Sequence, residues 1–478
     1  MKTDFFSPLL DFKKPLIGLD ISAFHRVVPG LIKKDYQLIG MKDAAENDLI
    51  ASKMKIFSTE RDFTKKGERA GKYNTLTIIK NARVQRYLNS FATKPYLVLY
   101  RSTESIEKIC DKFGWQILAN RASTRDLYEN KDFFRSLLHK VKLETVPGEK
   151  LKINELNKEK LVTFLNKWKE VVLILPELTK GGGHSLVFVR KLADFDKFKK
   201  KITNWSSKFD LRHVIVTKYI NAFSPSITGC VTRFGILTGP VQTQILDQPS
   251  IVNLSKGSGL FCGHDWSFKI YSDKIQKQAE LIAGKIGQYM WKHGYRGIFG
   301  IDLLIDKKTE KVYACECNPR YTGAFPIYSM LQMEQEEPAF DVFHLLELLK
   351  LDYQMDFETI NNLYKKPKRG SHLVLSNLSH DYQLVTKDVK PGVYRFNKNK
   401  LNFVRPGFTT FDIHDSEDEF LLTDGLSRKG QIVRPILRIG KLVFKKGVLE
   451  KNNSAKLTSP VRKIIKLVYK NFGLKKIK

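Results

Sequence analysis

Residues 294–323, GYRGIFGIDLLIDKKTEKVYACECNPRYTG, constrain the fold more than any other stretch of the chain. Two apolar runs, 297–305 and 311–317, flank a short charged turn at 306–310, the pattern of an antiparallel hairpin. Such a hairpin sets Asp302 and Glu316 on neighbouring strands. Side chains alternate along a strand, so Glu316 and Asn318 are expected on one face and Cys315 and Cys317 on the other. A carboxylate among apolar strand residues is costly unless its charge is compensated, which disfavours the plainer reading of a hairpin with a solvated charged face. Asp, Glu and Asn offer hard oxygen donors, and a few of these plus phosphate oxygens are what Mg²⁺ prefers. Arg320 follows Pro319 where the chain leaves the strand, suited to stabilising negative charge on a transferred group. The glycines around the hairpin point to close backbone packing.

At 478 residues the chain exceeds one ordinary core, and roughly two to four domains are expected. With 42% hydrophobic and 11% aromatic residues it is globular in composition, not disordered. Its apolar runs, such as 96–100 and 171–176, fall far short of the roughly 18 residues a membrane span needs. Asp4, Asp11, Lys13 and Lys14 interrupt any leader-like stretch, so a cytoplasmic location is expected. The five scattered cysteines suit reduced thiols better than a disulfide framework. A net charge of +32 attracts phosphates, nucleic acid and anionic membranes. The lysines are spread along the whole chain, however, with no RNA-binding aromatic signature or zinc finger, so no specific nucleic-acid partner is expected.

Residues 1–125 alternate short apolar runs with helical patterns, as an α/β unit with parallel pairing would. Strands are expected at 35–40 and 96–100, and helices at 75–89 and 102–113, the second capped by Ser102. No G-x-G-x-x-G occurs there. Next come helices at 130–142, 158–169 and 194–200, strands at 171–175, 185–190 and 213–220, and a hairpin at 227–237 with a strand at 242–246. A long amphipathic helix at 273–289 precedes the metal-type hairpin, and 340–350 is helical. Residues 365–370 read as a linker; short strands at 373–376, 392–397, 403–406 and 431–437 then suggest a small β subdomain. At the end, Ser459-Pro460 starts a helix in which Val461, Ile464, Ile465, Val468 and Phe472 share one face and Lys463, Lys466 and Lys470 another. Such a basic amphipathic helix could lie on an anionic membrane as a peripheral contact, or pack against its own β subdomain.

Asp302 followed by Glu316-Cys-Asn318-Pro-Arg320 resembles the metal-binding signature of the ATP-grasp superfamily, which includes biotin carboxylases, D-alanine ligases and carboxylate–amine ligases; the resemblance spans roughly residues 125–345. It implies a multidomain α/β and α+β chain. An N-terminal α/β domain (1–125) would precede a two-lobed core with antiparallel sheets: a small lobe (126–212) and a large lobe (213–350). A β-rich subdomain (371–458) and the basic helix (459–478) would follow. It implies ATP and Mg²⁺ (or Mn²⁺) as cofactors, with Asp302, Glu316 and Asn318 holding the metal and Arg320 serving transition-state charge. Lys131, in Glu129-Asn-Lys-Asp-Phe-Phe, matches the lysine that contacts ATP phosphates. Lys180 with Gly181, Gly182 and Gly183 resembles the glycine-rich flap over the triphosphate, and Lys218, Tyr219 and Ile220 resemble the adenine-reading hinge.

Two departures stand out. The lysine usual before a proline on the strand leading to the flap is replaced by Leu175, and the hinge glutamate by Thr217. The implied activity is an ADP-forming ligase that joins a small-molecule carboxylate, activated as an acyl phosphate, to an amine or similar nucleophile. The connection 248–266 would line the acceptor pocket, with Lys256, His264 and Asp265 as contacts. A non-catalytic ATP-binding regulator and a charge-driven nucleic-acid binder are the alternatives.

Overall fold

The computed structural model describes residues 6–64, 72–178, 185–256, 259–268, 271–451 and 453–477. Short apolar runs near the N-terminus form a five-stranded parallel sheet in the order Lys55–Ser58, Gln37–Gly40, Leu16–Asp20, Tyr96–Leu99, Gln116–Leu118. The central strand is buried throughout, as parallel strands covered on both faces are. Strand order reverses between Leu16–Asp20 and Tyr96–Leu99, and their carboxyl ends open the crevice in which such sheets hold ligands. The helix expected over 75–89 is two, Thr75–Lys80 and Ala82–Asn89. Asn81 breaks it by capping the second, its side chain accepting from the N–H groups of Arg83 and Val84. Thr103, not Ser102, caps Glu104–Phe113; the Ser102 hydroxyl donates instead to Glu107.

Two antiparallel sheets follow. The first runs Gly148–Lys152, His213–Lys218, Val171–Ile174, Leu186–Val189. The helices Lys158–Trp168 and Phe195–Ser206 contribute Leu161, Phe164, Phe195 and Phe198 to its core. The second is built on the long strand Gly297–Asp306, flanked by Val312–Asn318 on one side and by Ala222–Phe223 and Ser226–Thr232 on the other. The helix Asp273–Lys292 covers it; Ile275, Ala279, Ile282, Ile286 and Met290 recur at helical spacing and are all buried.

A seven-stranded sheet closes the structure. Thr243–Leu246 and Phe261–Asp265 join it by pairing with Ser371–Ser376, so it combines strands from before and after the metal-type hairpin. Arg438–Phe444, Glu419–Thr423, Gly392–Asn397 and Lys400–Arg405 complete it. Of the strand expected at 431–437, only Ile432–Val433 forms. The expected linker at 365–370 is packed rather than free: Lys368 Nζ lies 2.8 Å from Glu337 Oε1, with both side chains fully buried.

The terminal helix, Ser459–Phe472, buries Val461, Ile464, Ile465, Val468 and Phe472 in the core of this sheet. Its apolar face is therefore covered, which corrects the idea that this face rests on a membrane. No helix among the described residues is long and apolar enough to cross one.

Candidate active site

In the hairpin, Asp302 lies directly opposite Glu316. One step further the register shifts, Ala314 pairing with Leu303, and Cys315 is left as a bulge. Strict alternation therefore fails at one residue. Cys317 is buried on the expected face, but Cys315 is exposed and lines the cleft, its Sγ 3.2 Å from the Asp302 carbonyl. Gly297 starts the strand with φ +83°, a conformation open mainly to glycine, and a Cβ there would collide with the His344 ring.

The sequence-expected groups converge. Asn318 Nδ2 donates to Asp302 Oδ2 at 3.2 Å, and Gln244 Nε2 donates to Asp302 Oδ1 at 2.7 Å. Lys131 opens the helix Lys131–Lys140, whose cap Asn130 accepts from the N–H groups of Asp132 and Phe133, and its ammonium pairs with Glu316. Burial, with Glu316 adding to it, pushes the Asp302 carboxyl up to about 6. Burial opposes charge on Lys131 as well, but Glu316 outweighs it and raises the ammonium pKa. Arg320 is held from several directions. It donates from Nε to Glu129 (2.6 Å), from Nη1 to the Tyr100 hydroxyl (2.5 Å) and the Tyr321 carbonyl (3.2 Å), and from Nη2 to Asn318 Oδ1 (2.8 Å). A chain of contacts thus runs from Glu129 through Arg320 and Asn318 to Asp302.

The adjacent carboxylates of Asp302 and Glu316, half-buried, could hold a hard divalent cation whose other positions are filled by water and phosphate; the Asn318 oxygen, which here accepts from Arg320, would join them on rotation of its amide. Among the described residues no group of three or more His, Cys, Asp or Glu side chains gathers as a metal cage.

The constellation faces a cavity of about 1610 Å³ bounded by all the main sheets. On the small-lobe wall, Val172, Ile174, Leu186 and Phe188 face it. Leu175, next to Pro176, is buried in the core of the first antiparallel sheet, while Val172 and Ile174 of the same strand line the cleft, so this strand presents no cation to it. Thr217 lines the cavity, its hydroxyl donating to the Val172 carbonyl at 3.4 Å. Lys218, Tyr219 and Ile220 line it as expected. The amides of Lys218 and Tyr219 donate to the carbonyls of Pro147 and Glu170, and the Ile220 amide has no backbone partner among the described residues. Lys180, Gly181, Gly182 and Gly183 lie outside the described residues, as does the side chain of Lys256. His264 lines the cavity. Asp265 does not: its carboxylate accepts from the N–H groups of Ser267, Val448 and Leu449, which makes it a tether between strands.

The opposite wall was not foreseen. At the carboxyl end of the first parallel strand, Asp20 accepts from Arg26 Nε at 3.1 Å, and His25 sits between Asp20 (3.4 Å) and Asp424 (3.1 Å). Asp424 in turn pairs with Lys441 at 2.8 Å. Burial alone would raise the Asp424 carboxyl, but His25 and Lys441 hold it well below the carboxylate range. Beside this chain, the Ser22 hydroxyl and His264 Nδ1 are buried without hydrogen-bond partners among the described residues. Arg438 lines the cavity with no side-chain partner among the described residues. These groups come from positions some 400 residues apart, and no local motif announces them. Gln244, Tyr100 and Glu129 were missed for the same reason.

The sequence matches no protein-family model, and no curated protein matches it. Solved structures share the fold. The biotin carboxylase domain of Hydrogenobacter thermophilus 2-oxoglutarate carboxylase, crystallised with MgADP, ADP and bicarbonate, aligns over 90% of this chain and 86% of its own, at 12% identity and a TM-score of 0.58. Biotin carboxylase from Campylobacter jejuni gives the same coverages and TM-score at 14% identity. Carboxyaminoimidazole ribonucleotide synthase from Aspergillus clavatus, complexed with ATP, aligns over 95% of this chain and 99% of its own at 10% identity, with a TM-score of 0.53. The chain shares the fold of these biotin carboxylase and carboxyaminoimidazole ribonucleotide synthase structures.

Proposed function

We propose that this chain is an ADP-forming ligase that activates a carboxylate with ATP and passes the acyl group to an amine or similar nucleophile. The observation that carries this reading is the meeting of Lys131, Asp302, Glu316 and Asn318 at one point of a deep cleft between two antiparallel sheets. Asp302, Glu316 and Asn318 would hold Mg²⁺, which when bound neutralises charge on the β- and γ-phosphate oxygens. Lys131, paired with Glu316, lines the cleft, and its ammonium would meet the phosphates. The apolar wall of Val172, Ile174, Leu186 and Phe188 suits the adenine ring, with the free Ile220 amide at its edge. Arg320, fixed by Glu129 and Tyr100, presents its charge without needing to reorganise when negative charge develops.

In this reading the carboxylate oxygen attacks the γ-phosphorus, the bond to the β-bridging oxygen breaks, and ADP leaves. The nucleophile then adds to the acyl carbon and expels phosphate. The second substrate would enter from the wall carrying Ser22, His264 and Arg438. The Ser22 hydroxyl and the Arg438 guanidinium, without side-chain partners among the described residues, favour a substrate bearing an anionic group, a carboxylate or a phosphate ester.

Phosphate release measured over a panel of carboxylates and amines, with Glu316→Gln as control, tests the proposal. It fails if no pair of substrates gives release above that variant. A second reading, a nucleotide-binding regulator, is favoured by the apolar Leu175 at the position where the resemblance expects a phosphate-binding lysine. It predicts calorimetric MgATP binding with no turnover across the panel.

A further inference from the structure

A second surface lies away from the cleft. Gln383–Leu384 pairs antiparallel with both Ile432–Val433 and Lys475–Lys476 in a three-stranded sheet. Leu384 stands opposite Ile432 and Lys475, and Gln383 opposite Val433 and Lys476. Opposed residues share a face and neighbours alternate. Tyr382, Leu384, Ile432, Lys475 and Ile477 therefore lie on one side; the Ile477 amide, donating to the Tyr382 carbonyl, extends the ladder by one step. Val433, on the other side, is buried in the core of the seven-stranded sheet. The outer side is open: Ile432 is 54% exposed, Tyr382 53% and Ile477 38%. Single exposed apolar residues are ordinary, but several gathered on one face mark a binding surface.

Basic side chains predominate in the segment that leads into this face. The helix Ser459–Phe472 contains no acidic residue, and it runs through Gly473 directly into Lys475–Lys476. On its outward side Lys463, Lys466 and Lys470 have no partner among the described residues, while Arg462 is engaged with Glu450 and the Leu457 carbonyl. Arg462 and Lys463 sit in the first turns, where cations oppose the helix dipole and add nothing to helix stability. The nearby acids are occupied: Asp381 pairs with Lys476 at 3.0 Å, and Asp388 accepts from the Lys429 amide.

We propose that Tyr382, Ile432 and Ile477, with Lys475 and the outward lysines of the terminal helix, dock the protein on an anionic lipid surface. A few protruding apolar tips amid lysines match shallow insertion at a headgroup boundary, with the ammonium groups reaching lipid phosphates. The helix contributes its charged side, because its apolar side is buried. Nucleic acid would use the lysines but has no use for the isoleucines.

Co-sedimentation of the full chain with phosphatidylcholine vesicles, with and without phosphatidylglycerol, tests this. Binding should require phosphatidylglycerol, fall with added salt, and weaken about fivefold for each lysine neutralised. Tyr382→Ser/Ile432→Ser/Ile477→Ser should weaken it by about tenfold, and Lys475→Glu should do so independently. All these positions are exposed, and unchanged thermal melting confirms that each variant folds. The proposal is overturned by absence of pelleting, by equal pelleting on pure phosphatidylcholine, or by unaltered pelleting of the triple variant. A DNA oligonucleotide that binds wild type and triple variant alike, and displaces both from vesicles, would also overturn it.

Discussion

Arg320 offers a way to separate holding a fold together from acting on a transferred group. Its guanidinium pairs with Glu129, and the two side chains are only 17% and 19% exposed. Removing one partner of a buried pair costs roughly 3–5 kcal/mol, because the other charge is left stranded. Residual exposure, and the second contact of Glu129 with Arg125 at 3.4 Å, reduce this to about 2 kcal/mol for Arg320→Met. In Arg320→Met/Glu129→Gln no charge is stranded, and all but about 1 kcal/mol should return. Turnover should behave differently. If Arg320 stabilises developing charge, both variants lose about 10²–10³-fold in kcat, as when a preorganised donor is deleted elsewhere. Urea denaturation measures the first quantity and phosphate release the second. Recovery of turnover in the double variant to near wild type would refute the catalytic role and leave Arg320 as a strut for Asn318.

Three further outcomes are expected. Glu316→Gln should keep the fold and an unfolding free energy, from urea denaturation, within about 1 kcal/mol of wild type, yet abolish Mg²⁺-dependent phosphate release; preserved release would remove Glu316 from the proposed metal set. Gln244→Leu, which strips one donor from Asp302, should weaken Mn²⁺ binding by about 10–100-fold, read by titration calorimetry, since outer partners of metal ligands have effects of that size. His25 is raised above its usual value: burial opposes its charge, but Asp424 and Asp20 outweigh that. Its stabilisation is then complete below about pH 6.5 and is lost as pH rises through the higher folded value. The stability of His25→Gln should accordingly be flatter with pH above 6.5 than that of wild type; parallel curves would show that His25 is neutral throughout.

What was legible in the sequence was local. Asp302, Glu316, Asn318 and Arg320 sit on a hairpin whose pairing follows from alternation and one turn, and Lys131 follows its own cap by one residue. The Cys315 bulge defeated alternation because a single inserted residue leaves no trace in an apolar run. Leu175 precedes Pro176, where the resemblance expects a lysine, yet alternation along the strand turns Leu175 into the core and Ile174 toward the cleft. The wall formed by Asp20, His25, Asp424 and Lys441 is invisible to any local pattern, since its members meet only through tertiary packing. Gln244 is hidden similarly, on a strand that belongs to the seven-stranded sheet but reaches across to Asp302.

The placement of Arg438–Phe444 in that sheet bears on how the molecule is made. This late strand lies between Ser371–Ser376 and Glu419–Thr423, so both neighbours emerge from the ribosome before the piece that joins them. Until it arrives, each presents an unpaired edge, the kind of surface that recruits foreign strands. The same late strand brings Lys441 to Asp424, so a nascent chain could fold its first parallel sheet long before the wall opposite the metal ligands exists. A ribosome stalled ahead of residue 438 should therefore leave a sticky product with two open sheet edges and an unfinished cleft wall.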